Sequence, residues 1–170
     1  MTPEKILHYI GGKQVPSVHG LTFGVADPVS NQVYARCAAG GPEDVDHAVT
    51  AARIAFETGP WPHLAARQRA KILNRIADGI EERGAEIAEL ETFDTGLPVT
   101  QAKGQAARAA ENFRYFADVI VAQHEEAFSQ PGQLGYVLRK PAGAIFHDSS
   151  MNGVFHGVMR PATPAGLRST

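Results

Sequence analysis

Near residue 40 the hydrophobic period of this chain changes from two to 3.6, and that change fixes most of what it can fold into. Before it, short apolar runs are cut by turn residues. Residues 6–10 (ILHYI) and 13–16 (KQVP) flank Gly11-Gly12. Two glycines between short apolar runs suit a two-residue hairpin turn, because glycine enters positive φ without steric cost. Residues 21–26 (LTFGVA) and 32–38 (QVYARCA) read as two more strands. The DPVSNQ segment between them carries Asp27-Pro28 and Ser30-Asn31, whose chemistry favours a turn. The first 40 residues therefore predict a small antiparallel β layer.

After the change, the chain reads as helices. Pro42-Glu43-Asp44 opens the first, with acidic residues where the helix dipole favours them. Val45, Ala48, Val49, Ala52 and Phe56 share one face of it. Gly59-Pro60 and Pro62 end it. From 63 to 83 the apolar set Leu64, Ile72, Leu73, Ile76 and Ile80 marks an amphipathic helix with a basic polar face. Gly84 marks a break, followed by a shorter helix through Ile87, Leu90 and Phe93. Asp94-Thr95-Gly96-Leu97-Pro98 stops that helix. A long helix then spans about 100 to 124, with Ala102, Ala106, Ala109, Phe113, Phe116, Ala117 and Ile120 as its apolar set. Its small residues predict close packing against a neighbour. Residues 129–133 read as a loop and 134–139 (LGYVLR) as a strand, which Lys140-Pro141 ends. The fold class expected is α/β, or α+β for these 170 residues taken alone.

Charge and composition exclude several functions. A net charge of -2, with Lys and Arg interleaved among Asp and Glu, offers no basic stripe for nucleic acid. No run approaches the roughly 18 apolar residues of a membrane span. The first dozen residues lack the apolar core of a signal peptide. A single cysteine, Cys37, permits no intrachain disulfide, so a cytoplasmic location is expected. The seven histidines show no metal-ligand spacing. Gly11-Gly12 and Gly40-Gly41 lack the residues that follow in a phosphate-binding loop.

Five pieces, in order, carry a family resemblance: the DPVSNQ turn, DVDHAVTAARIAFETGPW, RAKILNRIADGIEERGAEIAELETFDTGLP, NFRYFA and GYVLRKPAGA. Together they resemble the opening third of the aldehyde dehydrogenase superfamily over about residues 8–144. DTGLP and GYVLRKP are most similar to the 5-carboxymethyl-2-hydroxymuconate-semialdehyde dehydrogenases. The resemblance implies that residues 1–133 begin an NAD-binding domain and that 134–140 resembles a strand of an oligomerisation sheet. It implies an NAD or NADP cofactor and an aldehyde substrate. It also implies a mechanism in which a cysteine thiolate attacks the aldehyde, hydride passes to the nicotinamide and a glutamate-activated water releases the acid.

Past residue 144 the segment IFHDSSMNGVFHGVMRPATPAGLRST lacks the Pro-Trp-Asn expected of the family. Asn152 follows Met151 rather than Trp. The nucleophilic cysteine, the general-base glutamate and the nucleotide-binding lysine and glycines have no counterpart here. Residues 145–170 are therefore expected to be a divergent tail, arising from a frame change or truncation near codon 145. The 170-residue chain is expected to be inactive alone and to bind no cofactor. Its alternative role is that of an interaction fragment, forming a homo-oligomer or pairing with a full-length homologue.

No catalytic, cofactor or metal residue is assigned. Cys37, in a strand with no Gly-rich context or helix N-terminus to lower its pKa, reads as a small buried hydrophobe rather than a nucleophile. His147, Asp148 and Ser149 are adjacent on a tail, which cannot supply the geometry of a triad. Arg108 is the one candidate for substrate binding. The resemblance implies that the helix at 100–124 passes the mouth of a substrate tunnel. In the similar semialdehyde dehydrogenases an arginine stands four residues before Asn-Phe, as Arg108 stands before Asn112-Phe113. Its guanidinium would hold a substrate carboxylate through two parallel hydrogen bonds. The plainer role is a solvated arginine paired with Glu111 or Glu125. Phe113 and Phe116 would line the same tunnel or, more plainly, pack in the core.

Overall fold

The computed structural model of the chain describes residues 4–145. Seven short strands and four helices follow one another: β1 (Glu4–Ile6), β2 (His8–Ile10), β3 (Lys13–Val15), β4 (Thr22–Ala26), β5 (Val33–Ala38), α1 (Pro42–Thr58), α2 (Ala66–Glu82), α3 (Gly84–Thr95), α4 (Val99–Ala122), β6 (Ala127–Gln130) and β7 (Gln133–Tyr136). A 3-10 turn at Trp61–His63 separates α1 from α2.

The Gly11-Gly12 turn forms as its sequence requires. Both glycines have positive φ, 59° and 79°, and Ile10 pairs with Lys13 across β2–β3. The DPVSNQ segment turns because Asp27 ties down its own loop. Its carboxylate accepts hydrogen bonds from the Val29 N–H at 2.9 Å and the Ser30 hydroxyl at 2.6 Å. Asn31 then takes a positive φ of 57°.

The β layer is not wholly antiparallel. The run 6–10 divides at Leu7: β1 pairs in parallel with β5, while β2 turns away into its own hairpin. With β4 antiparallel on the other side, the sheet order is β1-β5-β4. Strand direction cannot be read from alternation, which is the same for both pairings. Central position on both flanks is what buries Ala35 and Ala38 of β5.

The helical core is built from small residues. Helix α4 lies along α2 and α3, and its buried side chains are Ala102, Ala106, Ala109, Ala110 and Ala117. Ala70 and Ala77 of α2 and Ala88 of α3 complete the set. Alanine at these positions lets the backbones approach closely. Arg114 of α4 fastens the pair, with its guanidinium 2.9 Å from Asp78 and also bound to Glu81, both on α2. Among the described residues no large apolar side chain is fully buried.

Two further features depart from expectation. Residues 127–130, of which 129 and 130 read as loop, form β6, and the second strand is 133–136 rather than 134–139. Pro131-Gly132 is the turn between them, with Gly132 at φ 79°. A Pro-Gly pair is a turn signal, and it was present in the sequence. Helix α1 forms at the expected place, yet the face expected to be packed is open. Val45 and Val49 are 42% and 37% exposed, because α1 meets little besides β2 and the 3-10 turn.

Candidate functional site

The site begins with a break. Helix α3 ends at Gly96, which takes a left-handed conformation at φ 74° and caps Thr92. A side-chain carbon there would come within 3.3 Å of Pro28, so glycine also allows the DPVSNQ turn to approach the DTG segment. Tyr34 of β5 locks the same junction. Its hydroxyl donates to Asp94, and its ring meets Phe93 edge-on at 4.7 Å. Burial, followed by the Asp94 carboxylate, pushes the Tyr34 hydroxyl up to about 12. The sheet is thereby tied to the residues that start α4.

From that anchor α4 presents two faces. One is the alanine stripe against α2 and α3. The other carries Arg108, with Asn112 one turn further and Tyr115 two turns further along, as the 3.6-residue period requires. Arg108 is exposed, Asn112 half-buried and Tyr115 62% exposed. Among the described residues Arg108 forms no ion pair, and neither Glu111 nor Glu125 engages it. The polar partners expected of a solvated helix arginine are therefore not in contact with it. Phe113 is half-buried beside the alanine stripe. Phe116 is 40% exposed and stacks edge-on with Tyr115 at 5.2 Å. Tyr115 was missed in the sequence, where an aromatic on the polar face does not disturb the apolar period. Its spacing of seven from Arg108 was the available signal.

Cys37 stands mid-strand, opposite Ile6 and Phe23. Burial and the Asp94 carboxylate push its thiol up, the reverse of what a nucleophile needs. His147, Asp148, Ser149 and Asn152 lie outside the described residues.

Among the described residues, one junction imitates a nucleotide site, β5–Gly40-Gly41–α1, a strand running through glycines into a helix N-terminus. It does not fit a dinucleotide. Asp44 already takes the Gly41 N–H at 2.9 Å and the Val18 N–H at 3.0 Å, and the Ser17 hydroxyl donates to it at 3.2 Å. These donors hold the Asp44 carboxyl below its usual range. Pro42 has no N–H, and Glu43 and Asp44 would repel a pyrophosphate. Among the described residues no cluster of His, Cys, Asp and Glu is placed to hold a metal ion, and no helix is long and apolar enough to cross a membrane.

Comparison with known proteins places this arrangement. The sequence profile of the aldehyde dehydrogenase family matches residues 15–167. The chain is 40% identical over 163 residues to aldehyde dehydrogenase 1 of Tanacetum cinerariifolium, covering 93% of this chain and 33% of that protein. It is 40% identical over 148 residues to the 2-hydroxymuconic semialdehyde dehydrogenase of Pseudomonas sp. (strain CF600), covering 84% and 30%. It is 34% identical over 154 residues to the 5-carboxymethyl-2-hydroxymuconate semialdehyde dehydrogenase of Escherichia coli, covering 89% and 32%. The crystal structure of an NAD-dependent aldehyde dehydrogenase from Sinorhizobium meliloti superimposes with a TM-score of 0.75 at 30% identity, covering 82% of this chain and 28% of that one.

The chain belongs to the aldehyde dehydrogenase family, and its mixed helix-and-strand fold is that of the family's solved members. It spans about a third of the length of the curated relatives it matches. The profile match runs to residue 167, so likeness to the family does not stop at 144. The family match thus gives no sign of a change of frame near codon 145.

Proposed function

We propose that this chain supplies the N-terminal framework of an NAD(P)-dependent aldehyde dehydrogenase, and with it one wall of the substrate site. The substrate is a semialdehyde that also carries a carboxylate, of the hydroxymuconate type formed in aromatic catabolism in the cytoplasm. The observation that carries this reading is Arg108, exposed on the open face of α4 and, among the described residues, bound to no carboxylate. A planar guanidinium free of partners is suited to a bidentate grip on a carboxylate. The names of the two muconate semialdehyde dehydrogenases among the relatives point to the same substrate class. The nucleotide and the reacting cysteine come from outside the described residues, and the 170 residues alone do not oxidise aldehydes.

The test joins this chain to the remaining two thirds of the Pseudomonas relative. Arg108→Ala in that enzyme raises KM for an acidic semialdehyde about 10- to 100-fold, the worth of a charge-assisted hydrogen bond, and leaves a neutral aldehyde unchanged. Equal effects on both substrates would remove Arg108 from the site.

The β6–β7 hairpin supports a second role, in assembly. All of its strand residues are exposed, with Phe128 at 54%, Leu134 at 70% and Tyr136 at 66%. Such an edge pairs readily with another sheet, in a homo-oligomer or with a full-length homologue.

A further inference from the structure

Gly104 stands inside α4, beyond its first turn and far from its end. Glycine is among the least favourable residues for a helix interior, because it surrenders the most backbone freedom there. Two structural needs commonly explain such a glycine, and Gly96 shows both: a positive φ and a close neighbour, Pro28. Gly104 has neither. It is helical and is not among the glycines at positive φ. A side-chain carbon built on it would meet no packed neighbour within 4 Å among the described residues. Gly79 and Gly84 meet none either, but they stand in the last turn of α2 and at the first position of α3, where a helix interior is not interrupted.

What adjoins Gly104 is Arg108, one turn further along on the same face, and both residues are exposed. Helical side chains lean toward the helix N-terminus, so the surface beside the Arg108 stem is the turn that holds Gly104. Arg108 does not fill that place, since none of its side-chain atoms lies within 4 Å of the added carbon. A guanidinium with no carboxylate partner among the described residues therefore stands beside a gap in the side-chain cover of α4.

We infer that Gly104 is a specificity-determining residue, which rests on the role proposed for Arg108: the gap receives the carbon chain that joins the substrate carboxylate to its aldehyde group. That chain lies against the helix backbone at 104, at carbon–carbon separations of roughly 3.5–4.0 Å. Alanine at this position adds one methyl group and narrows the gap, while leucine fills it. A two-carbon neutral aldehyde does not extend from the reacting centre to residue 104, so the substitutions bear on it far less.

The test uses the 170-residue chain joined to the remaining two thirds of the Pseudomonas 2-hydroxymuconic semialdehyde dehydrogenase, with 2-hydroxymuconic semialdehyde and acetaldehyde as substrates. Gly104→Leu is expected to raise KM for the acidic semialdehyde about 10- to 100-fold, and about tenfold more than for acetaldehyde, with Gly104→Ala in between. An equal rise for both substrates, or no rise, overturns the inference. Arg108→Ala, measured alongside, separates the two claims. If it discriminates between the substrates and Gly104→Leu does not, the role of Arg108 stands and that of Gly104 falls; if Arg108→Ala does not discriminate, both fall. Melts of the 170-residue chain give a readout that needs no activity. Gly104→Ala is expected to raise Tm by about 2–4 °C, because the space is free and alanine favours the helix. A lower Tm would mean that packing requires the glycine, and it overturns the inference whether or not the joined protein is active.

Discussion

Asp44 shows how one side chain can organise a junction. It is 4% exposed, and it receives donors from the loop before it and from the start of its own helix. Those donors favour the ionised form, led by the Gly41 N–H, so the folded pKa lies below that of a free aspartate. A depressed carboxylate contributes stability above the unfolded pKa, and that contribution is lost as pH falls through the folded one. Asp44→Asn should therefore melt lower than the parent near neutral pH, and the difference should shrink below about pH 3.8. Thermal melts at pH 7 and pH 3 check this; an equal difference at both would deny the carboxylate its role. The acidic first turn was visible in the sequence, but its reach to Ser17 and Val18 was not, since contacts 26 and 27 residues apart leave no local pattern. Arg108 was visible only because of its spacing to Asn112-Phe113 and the family resemblance. Its freedom from Glu111 and Glu125 required the structure.

At the scale of elements, the small residues of α4 decide how close the helices lie. Ala110 is fully buried while Ala107, three residues before it, is exposed. Ala110→Leu should cost about 1–3 kcal/mol through overpacking, and Ala107→Leu less than about 0.5 kcal/mol. Denaturant unfolding separates them; equal effects would mean that α4 is not seated on its alanine stripe. Helix positions were legible because a period of 3.6 with Gly and Pro punctuation is a local signal, and α1, α3 and α4 start and stop close to where it ends. The sheet was less legible. Parallel β1–β5 pairing joins residues about 30 apart, and nothing in the alternation of β1 distinguishes it from an antiparallel edge. The β6–β7 turn fell inside the loop read at 129–133, but strand β6 before it was not read, because four residues, Ala127–Gln130, carry too short a pattern.

At the scale of the molecule, the described residues form a framework with open sides. The buried apolar set is alanine, while Val45, Val49, Tyr115, Phe128, Leu134 and Tyr136 all retain substantial exposure. Each open side has a different chemistry: a guanidinium and an aromatic ring on α4, a sheet edge at β6–β7, and an apolar pocket with an unpaired imidazole nitrogen at α1. The central claim is that this chain carries the scaffold and substrate wall of an aldehyde dehydrogenase but not its nucleotide site. Calorimetric titration of the 170-residue chain with NAD+, beside the same chain joined to the remaining two thirds of the Pseudomonas relative, tests it most directly. The account predicts saturable one-to-one binding by the joined protein and none by the shorter chain. Saturable binding by the shorter chain would contradict it.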